Sequence, residues 1–262
     1  MQRRFILKFA AALLSASLFS GAAHAEETIK VGVTGGPHAQ IMEIVKQIAA
    51  KNGLKITVVE FSDYVQPNAT LTAGDLDTQT AISICRISIG EGSRLQADPH
   101  RRYGDVSDGH LFEEAQVAVA IASARVAVPN DPTNGRRTLL LLQKQGLIKL
   151  RPDAGLKATA LDITDNPKKL KIVELDAAQI TRSLADVDAA AINTNFAMEA
   201  GLKPKSDAIA IGDPHGPYVN IIAIRAADKD KPWVAKLVSV YHSPEVKQFV
   251  ESKFAGAVIT AW

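Results

Sequence analysis

The segment of this sequence with the clearest chemistry is a polar turn that leads into two arginines. A strand is expected to end at Pro129, and the turn 130–134 with Gly135 leads into a helix whose first turn carries Arg137. Backbone N–H groups and the helix dipole favour negative charge at such a place. A guanidinium can also bind a carboxylate through two parallel hydrogen bonds. The pattern indicates an anion site, although a capped helix with a solvated arginine has the same spacing.

Two further segments place amide side chains at the ends of apolar strands. Asn193 and Asn195 follow one buried strand, and Asn220 enters another just after Tyr218. An amide offers both a donor and an acceptor, so it suits an ammonium and a carboxylate together. Asparagine also caps helices and forms turns. A buried amide without a partner costs about 1–3 kcal/mol, and these residues leave open whether that partner is protein or ligand.

Signatures of common enzymes are missing from the chain. It contains no GxGxxG, GxxxxGK[ST], HExxH or GxSxG motif. The six histidines are scattered, and neither His24 nor His38 has a partner at metal-ligand spacing. A single cysteine, Cys85, excludes a disulfide scaffold, a CxxC redox site and a thiolate zinc site. We therefore expect no catalytic residue, no metal and no cofactor.

The elements that must position these residues alternate along the chain. Alternation of strands and helices favours an α/β fold with mainly parallel sheets, whose ligands bind beyond the carboxyl ends of strands. Strands are predicted at 28–34, 55–61, 125–129, 172–175, 189–193 and 219–225, and helices after 37, after the turn 130–134 up to 145, after Asp176, from 194 to about 201, and around 233–241 and 244–254.

The N-terminus predicts export. Arg3, Arg4 and Lys8 precede an apolar run that is too short to span a bilayer, and Ala23-His24-Ala25 follows it. This order is typical of a secretory signal peptide cleaved after Ala25. A lipid anchor would require a cysteine at the cleavage point, so we expect a freely soluble periplasmic chain. Without the three basic residues the net charge of +2 becomes slightly negative and no basic stripe remains, which argues against a nucleic-acid partner.

The chain resembles the methionine-binding, NlpA-type substrate-binding proteins of bacterial ABC importers. The resemblance implies a non-enzymatic receptor, expected to be monomeric, that captures methionine and delivers it to an inner-membrane ABC permease. An enzyme on the same two-lobed scaffold is the alternative. The matching stretches are KVGVTGGPHAQIME (30–43), VVEFSDYVQPNATLTAGDLD (58–77), RVAVPNDPTNGRRTLLLLQ (125–143), GLIKL (146–150), NPKKLKIVELDAAQITRSL (166–184), DAAAINTNFAMEAGL (188–202), PYVNIIA (217–223) and 231–262.

The resemblance also implies a fold of the type II periplasmic-binding-protein kind, in which two α/β lobes close on the ligand. Lobe 1 would comprise 26–115 and 226–262, and lobe 2 would comprise 116–225. Which enantiomer or analogue of methionine is preferred stays open.

By similarity, five residues would form the ligand site. Arg137 would bind the ligand carboxylate, and Asn195 and Asn220 would hold the α-amino and carboxylate groups. Asn193 and Tyr218 complete the expected set, and an apolar wall would take the thioether. Gly135-Arg136-Arg137 stands where the family often has Gly-Gly-Arg, so an extra cation lies beside the clamp.

One stretch departs from the resemblance, from about Thr78 to Ser123. Back-translating 80–89 and shifting the frame by two bases gives Ser-His-Gln-His-Leu-Pro-Tyr-Leu-Asp, close to the family's Gln-His-x-Pro-Tyr-Leu. A one-base shift of 103–116 gives Thr-Val-Thr-Phe-Pro-Met-Gly-Ile-Tyr-Ser-Lys-Lys-His, close to its next strand. We interpret the stretch as an out-of-frame translation, with genuine divergence as the alternative. A chain made as written would lack a histidine and aromatic residues of the ligand wall, and its ligand binding would be impaired.

Overall fold

The structure is a computed structural model that describes residues 27–82, 106–108, 111–112, 123–155, 158–208, 210–211, 218, 220–260 and 262. Its strands are β1 (Glu27–Thr34), β2 (Leu54–Phe61), β3 (Thr78–Ile82), β4 (Val106–Asp108), β5 (Leu111–Phe112), β6 (Arg125–Pro129), β7 (Lys149–Leu150), β8 (Ile163–Asp165), β9 (Lys171–Leu175), β10 (Ala189–Ala190), β11 (Ala210–Ile211), β12 (Asn220–Ile224) and β13 (Val258–Thr260). Its α-helices are α1 (Pro37–Lys51), α2 (Gln66–Ala73), α3 (Pro132–Lys144), α4 (Ala177–Ile180), α5 (Thr194–Glu199), α6 (Pro204–Asp207), α7 (Pro232–Tyr241) and α8 (Pro244–Phe254).

A six-stranded sheet organises the first half of the fold. Its strands run in the order β13-β4-β12-β3-β1-β2. β1 is parallel to β2 and β3, whereas β12 is antiparallel to β3 and β4. Helix α1 packs on this sheet because its apolar residues recur every three to four positions. The core beneath it includes Val31, Ile41, Val45 and Leu237, all at most 1% exposed.

A smaller sheet organises the second half, with β6 between its parallel neighbours β10 and β9. Side chains of a strand point alternately to its two faces. Val126 and Val128 therefore pack into a cluster with Leu139 of α3, while Ala127 packs into a separate cluster with Phe196 of α5. The carboxyl end of β6 thus lies between the two helices that carry the predicted ligand-binding residues.

Most of the predicted elements are confirmed, with three differences. Helix α3 begins at Pro132, inside the segment expected to be a turn, because Asp131 caps it by accepting from the N–H groups of Thr133 and Asn134. The strand expected over 189–193 pairs only at Ala189–Ala190. The larger sheet is mixed, not mainly parallel, because β12 enters it in the antiparallel direction.

The chain returns to the six-stranded sheet earlier than the lobe boundary at residue 226 implies. β12 ends at Ile224 and pairs with β3 along its whole length, although the expected division places it in lobe 2. β5 pairs with β11, which comes from the other expected lobe. The rest of the division stays a prediction.

None of the helices in the described ranges is long and apolar enough to cross a bilayer.

Candidate ligand-binding site

Arg137 lies in the first turns of α3 and is buried, with 5% of its surface exposed. Gly135 makes this position possible, because a Cβ there would lie 2.5 Å from the carbonyl oxygen of Pro129 at the end of β6. The helix therefore starts in direct contact with the strand end. A buried guanidinium is costly unless charge or hydrogen bonds compensate it. The burial rules out the solvated arginine that the spacing alone allowed.

A polar link joins the starts of α3 and α5. Asn134 is 1% exposed; its Nδ2 donates to Asp131 at 3.0 Å, and its Oδ1 accepts from Asn193 Nδ2 at 2.8 Å. Burial raises the pKa of Asp131, while hydrogen bonds from Asn134 and Thr133 act in the opposite direction. Asn193 occupies the N-cap position of α5. Its amide nitrogen is thus engaged by protein, and its place is in the scaffold beside the site.

Asn195 is held by a residue from the other half of the fold. The hydroxyl of Tyr64, in the segment after β2, donates to Asn195 Oδ1 at 2.5 Å. The Tyr64 ring also meets Phe196 edge-on, with centroids 5.6 Å apart. Asn195 is 4% exposed, and its Nδ2 is buried with no hydrogen-bond partner among the described residues. With its oxygen engaged, Asn195 offers the site a donor.

Asn220 and His38 meet at the edge of the larger sheet. Asn220 opens β12 and is 2% exposed, and its Nδ2 lies 3.4 Å from His38 Nε2 in the first turn of α1. The turn before α1 also approaches α5, since a Cβ on Gly36 would lie 3.1 Å from Asn195 Cβ. Gly36 has φ +77°, which favours glycine. One turn therefore brings His38 and Asn195 to the same region.

Tyr218 connects the arginine to the second amide. Its ring centroid lies 5.3 Å from Arg137 Cζ and 5.6 Å from Arg136 Cζ. Two residues later the chain enters β12 at Asn220. Arg137 thus contacts Tyr218 just before β12, Asn220 of β12 approaches His38 of α1, and the turn before α1 approaches Asn195 of α5.

Three residues of this region were missed by sequence reasoning. His38 follows a strand end and opens a helix, the same pattern that identified Arg137, so its signal was present. Tyr64 and Asn134 carry no such signal. Tyr64 bonds to Asn195, which lies 131 positions further along the chain, and Asn134 bonds to Asn193, which lies 59 positions further along. In the described part of the chain, no group of three or more His, Cys, Asp or Glu could hold a metal ion.

The model of the NlpA lipoprotein family matches residues 29–81 and 116–262. The D-methionine-binding lipoprotein MetQ of Escherichia coli K12 is 41% identical over 253 aligned residues, covering 89% of this chain and 88% of that protein. A nutrient-binding protein from Burkholderia cenocepacia, solved bound to methionine, superposes with a TM-score of 0.78 at 44% identity, covering 89% of this chain and all of that one. An ABC-transporter periplasmic substrate-binding protein from Coxiella burnetii gives 0.76 at 39% identity, with 89% and 100% covered.

One expectation is wrong. The family and the relative from Escherichia coli are named lipoproteins, which contradicts a freely soluble chain without a lipid anchor. The expectation depended on one residue, Ala25, at a predicted cleavage point that lies outside the described residues. One residue at a cleavage point predicted from sequence alone was not enough to exclude a lipid anchor.

The departure from the family is confirmed in part. The family model leaves 82–115 unmatched, a narrower stretch than 78–123, and most of it, with Cys85, lies outside the described residues.

Both flanks match, the α/β fold is shared with periplasmic substrate-binding proteins, and relatives align over most of the length. The chain belongs to the NlpA lipoprotein family.

Proposed function

We propose that this protein is a receptor that binds methionine between its two larger sheets and delivers it to an ABC permease. The observation that carries the proposal is the buried guanidinium of Arg137, which lies against the ring of Tyr218, two residues before the buried amide of Asn220. The amide of Asn195 is buried as well. The Burkholderia cenocepacia neighbour bound to methionine supports the ligand class. The Coxiella burnetii neighbour supports an ABC permease as the partner.

The hydrogen-bond pattern supports different roles for the two amides in ligand binding. Arg137 binds the carboxylate through two parallel bonds. The oxygen of Asn195 accepts from Tyr64, so its buried Nδ2 adds a donor, which suits the carboxylate and not the ammonium. Asn220 has an amide oxygen that can accept from the α-amino group. Tyr218 contributes ring surface beside Arg137, and Asn193 acts through the scaffold.

The ligand would close the protein because its partners come from both halves. Arg137 and Asn195 belong to helices of the smaller sheet, whereas Asn220, His38 and Tyr64 belong to the larger one or its loops. A ligand that contacts both halves favours the closed state by the contacts that only this state offers. Capture and release without turnover follow, as expected for a receptor and not an enzyme.

The basic and apolar residues 1–25 support export by a signal peptide, and we propose a monomer.

A second candidate is a misframed product with impaired binding. It is favoured by the unmatched stretch 82–115, because the flanks on both sides match the family. Sequencing the gene across this stretch for single-base errors tests it. Detection of peptides around Cys85 by mass spectrometry of the native protein would show that the stretch is made as written.

Isothermal titration with L-methionine and with D-methionine tests the main proposal. Micromolar or tighter binding of either enantiomer, with the amino acid recovered unchanged, is expected. Arg137→Ala should weaken binding about 30-fold or more, since truncating one partner of a buried charge pair costs about 2–5 kcal/mol. Arg151→Ala is the matched control, because Arg151 is 56% exposed and pairs with Asp153. Equal affinity in wild type and Arg137→Ala would overturn the proposal.

A further inference from the structure

Two consecutive arginines of α3 approach one aromatic ring. Residues next to each other on a helix point about 100° apart, yet the Cζ atoms of Arg136 and Arg137 lie 5.6 Å and 5.3 Å from the centroid of Tyr218. The ring therefore lies over the space between both side chains. Its negative face attracts each cation and reduces the cost of holding two like charges side by side.

Arg136 is fixed at its head by protein. Its Nε donates to the carbonyl oxygen of Gly155 at 2.8 Å, and the side chain is half-buried. Arg137, in contrast, is 95% buried. The two arginines thus have different surroundings. Arg136 reaches from the loop at Gly155 to the Tyr218 ring, whereas Arg137 contacts the same ring from a buried position.

Tyr218 lies close in the chain to one of the residues proposed to bind the ligand. It precedes Asn220 by two residues, and Asn220 opens β12 in the larger sheet. A ring held against α3 restricts the orientation that the Arg137 side chain can take. Arg136 holds that ring without being required to touch a ligand.

We propose that Arg136 is a positioning residue for ligand binding, which acts by holding Tyr218 against Arg137. This role deepens the methionine-receptor function proposed above, and its binding effect rests on that function. An exposed cation–π contact corresponds to a roughly two- to fivefold change in an equilibrium constant, so the effect on affinity is of this size.

A double-mutant cycle tests the role. Arg136→Gln removes the cation and leaves a shorter polar side chain of similar helix propensity, Tyr218→Leu removes the ring, and Tyr218→Phe keeps it. Titration with L-methionine should show a two- to fivefold loss for Arg136→Gln in the wild-type and Tyr218→Phe backgrounds, and no further loss in Tyr218→Leu. The same loss with and without the ring, or no loss at all, would overturn the proposal, because Arg136 would then act directly on the ligand or not at all.

A readout without ligand separates this proposal from the receptor function. The ¹H–¹⁵N resonance of Arg137 Nε reports the ring current of Tyr218 in the free protein. It should move in Arg136→Gln and in Tyr218→Leu, and remain near its wild-type position in Tyr218→Phe. A resonance unchanged by Arg136→Gln would overturn the positioning role. If the shifts appear as expected but neither enantiomer of methionine binds, the receptor proposal fails while the contact stands.

Discussion

The hydroxyl of Tyr64 donates a hydrogen bond to the side-chain oxygen of Asn195, from a loop of the larger sheet to a helix of the smaller one. This bond decides which end of the amide faces the site. An asparagine turned the other way would offer an acceptor and would repel a carboxylate. The chemical character of one binding group is therefore set by a residue in the opposite half of the fold.

Tyr64→Phe should weaken methionine binding about two- to tenfold, the range of a single net hydrogen bond of about 0.5–1.5 kcal/mol. The ring remains and keeps its edge contact with Phe196, so packing is preserved while the amide loses its orientation. Titration calorimetry measures the change. Phe196→Leu serves as the control for the ring contact alone, and an unchanged affinity in Tyr64→Phe would contradict the orienting role.

Asn134→Ala should lower the free energy of unfolding by about 0.5–1.5 kcal/mol, because half-buried Asn193 loses its partner and Asp131 keeps only its backbone N–H donors. Urea unfolding measures this loss. Thr133→Ala, one position earlier in the same helical turn, leaves the link intact and should cost less. Equal stability in the Asn134→Ala and wild-type proteins would show that the link does not hold the two helix starts together.

The carboxyl of Glu199, with that of Glu60 nearby, gives a pH-dependent contribution to stability. Each has an oxygen close to the position of a Cβ on Gly35, at 2.8 and 3.1 Å. Burial, followed by the charge of Glu60, raises the pKa of Glu199 from its ordinary value of 4.5. A raised pKa means that the folded protein favours the protonated form. Protonation of Glu199 makes its full contribution to stability below pH 4.5, and this contribution is lost as the pH rises through the folded-state pKa of Glu199.

Glu199→Gln should therefore stabilise the protein at pH 7.5 and leave it unchanged at pH 4. Because both carboxyls stay largely exposed, solvent screening limits the gain to about 0.2–0.5 kcal/mol. Urea unfolding at the two pH values measures it, and Glu60→Gln should show the same direction with a smaller size. A gain of equal size at both pH values would point to packing and not to charge.

Local patterns predicted much of this fold and part of the site. Asp131, Pro132 and Gly135 mark the start of α3 within a few residues, so the place of Arg137 followed from its neighbours in sequence. The end of the turn was placed too late, because Pro132 at a first helical position reads equally as a turn residue.

Contacts between distant segments could not be predicted in this way. Tyr64 is defined as a site residue only by Asn195, which lies 131 positions further along the chain. The antiparallel entry of β12 into the larger sheet has the same origin, since an apolar strand does not encode the direction of its partner. Both features arise when the chain folds back on itself.

The amide bridge between Asn134 and Asn193 has a consequence for the order of events during capture. It ties the two helix starts to one another, and so it favours one spacing between Arg137 and Asn195. In the proposed receptor, an arriving amino acid would find Arg137 in place on one half of the protein, whereas Asn195 is oriented only when Tyr64 of the other half reaches it. On this proposal the carboxylate would be bound first by Arg137, and discrimination between side chains would follow as the second half closes.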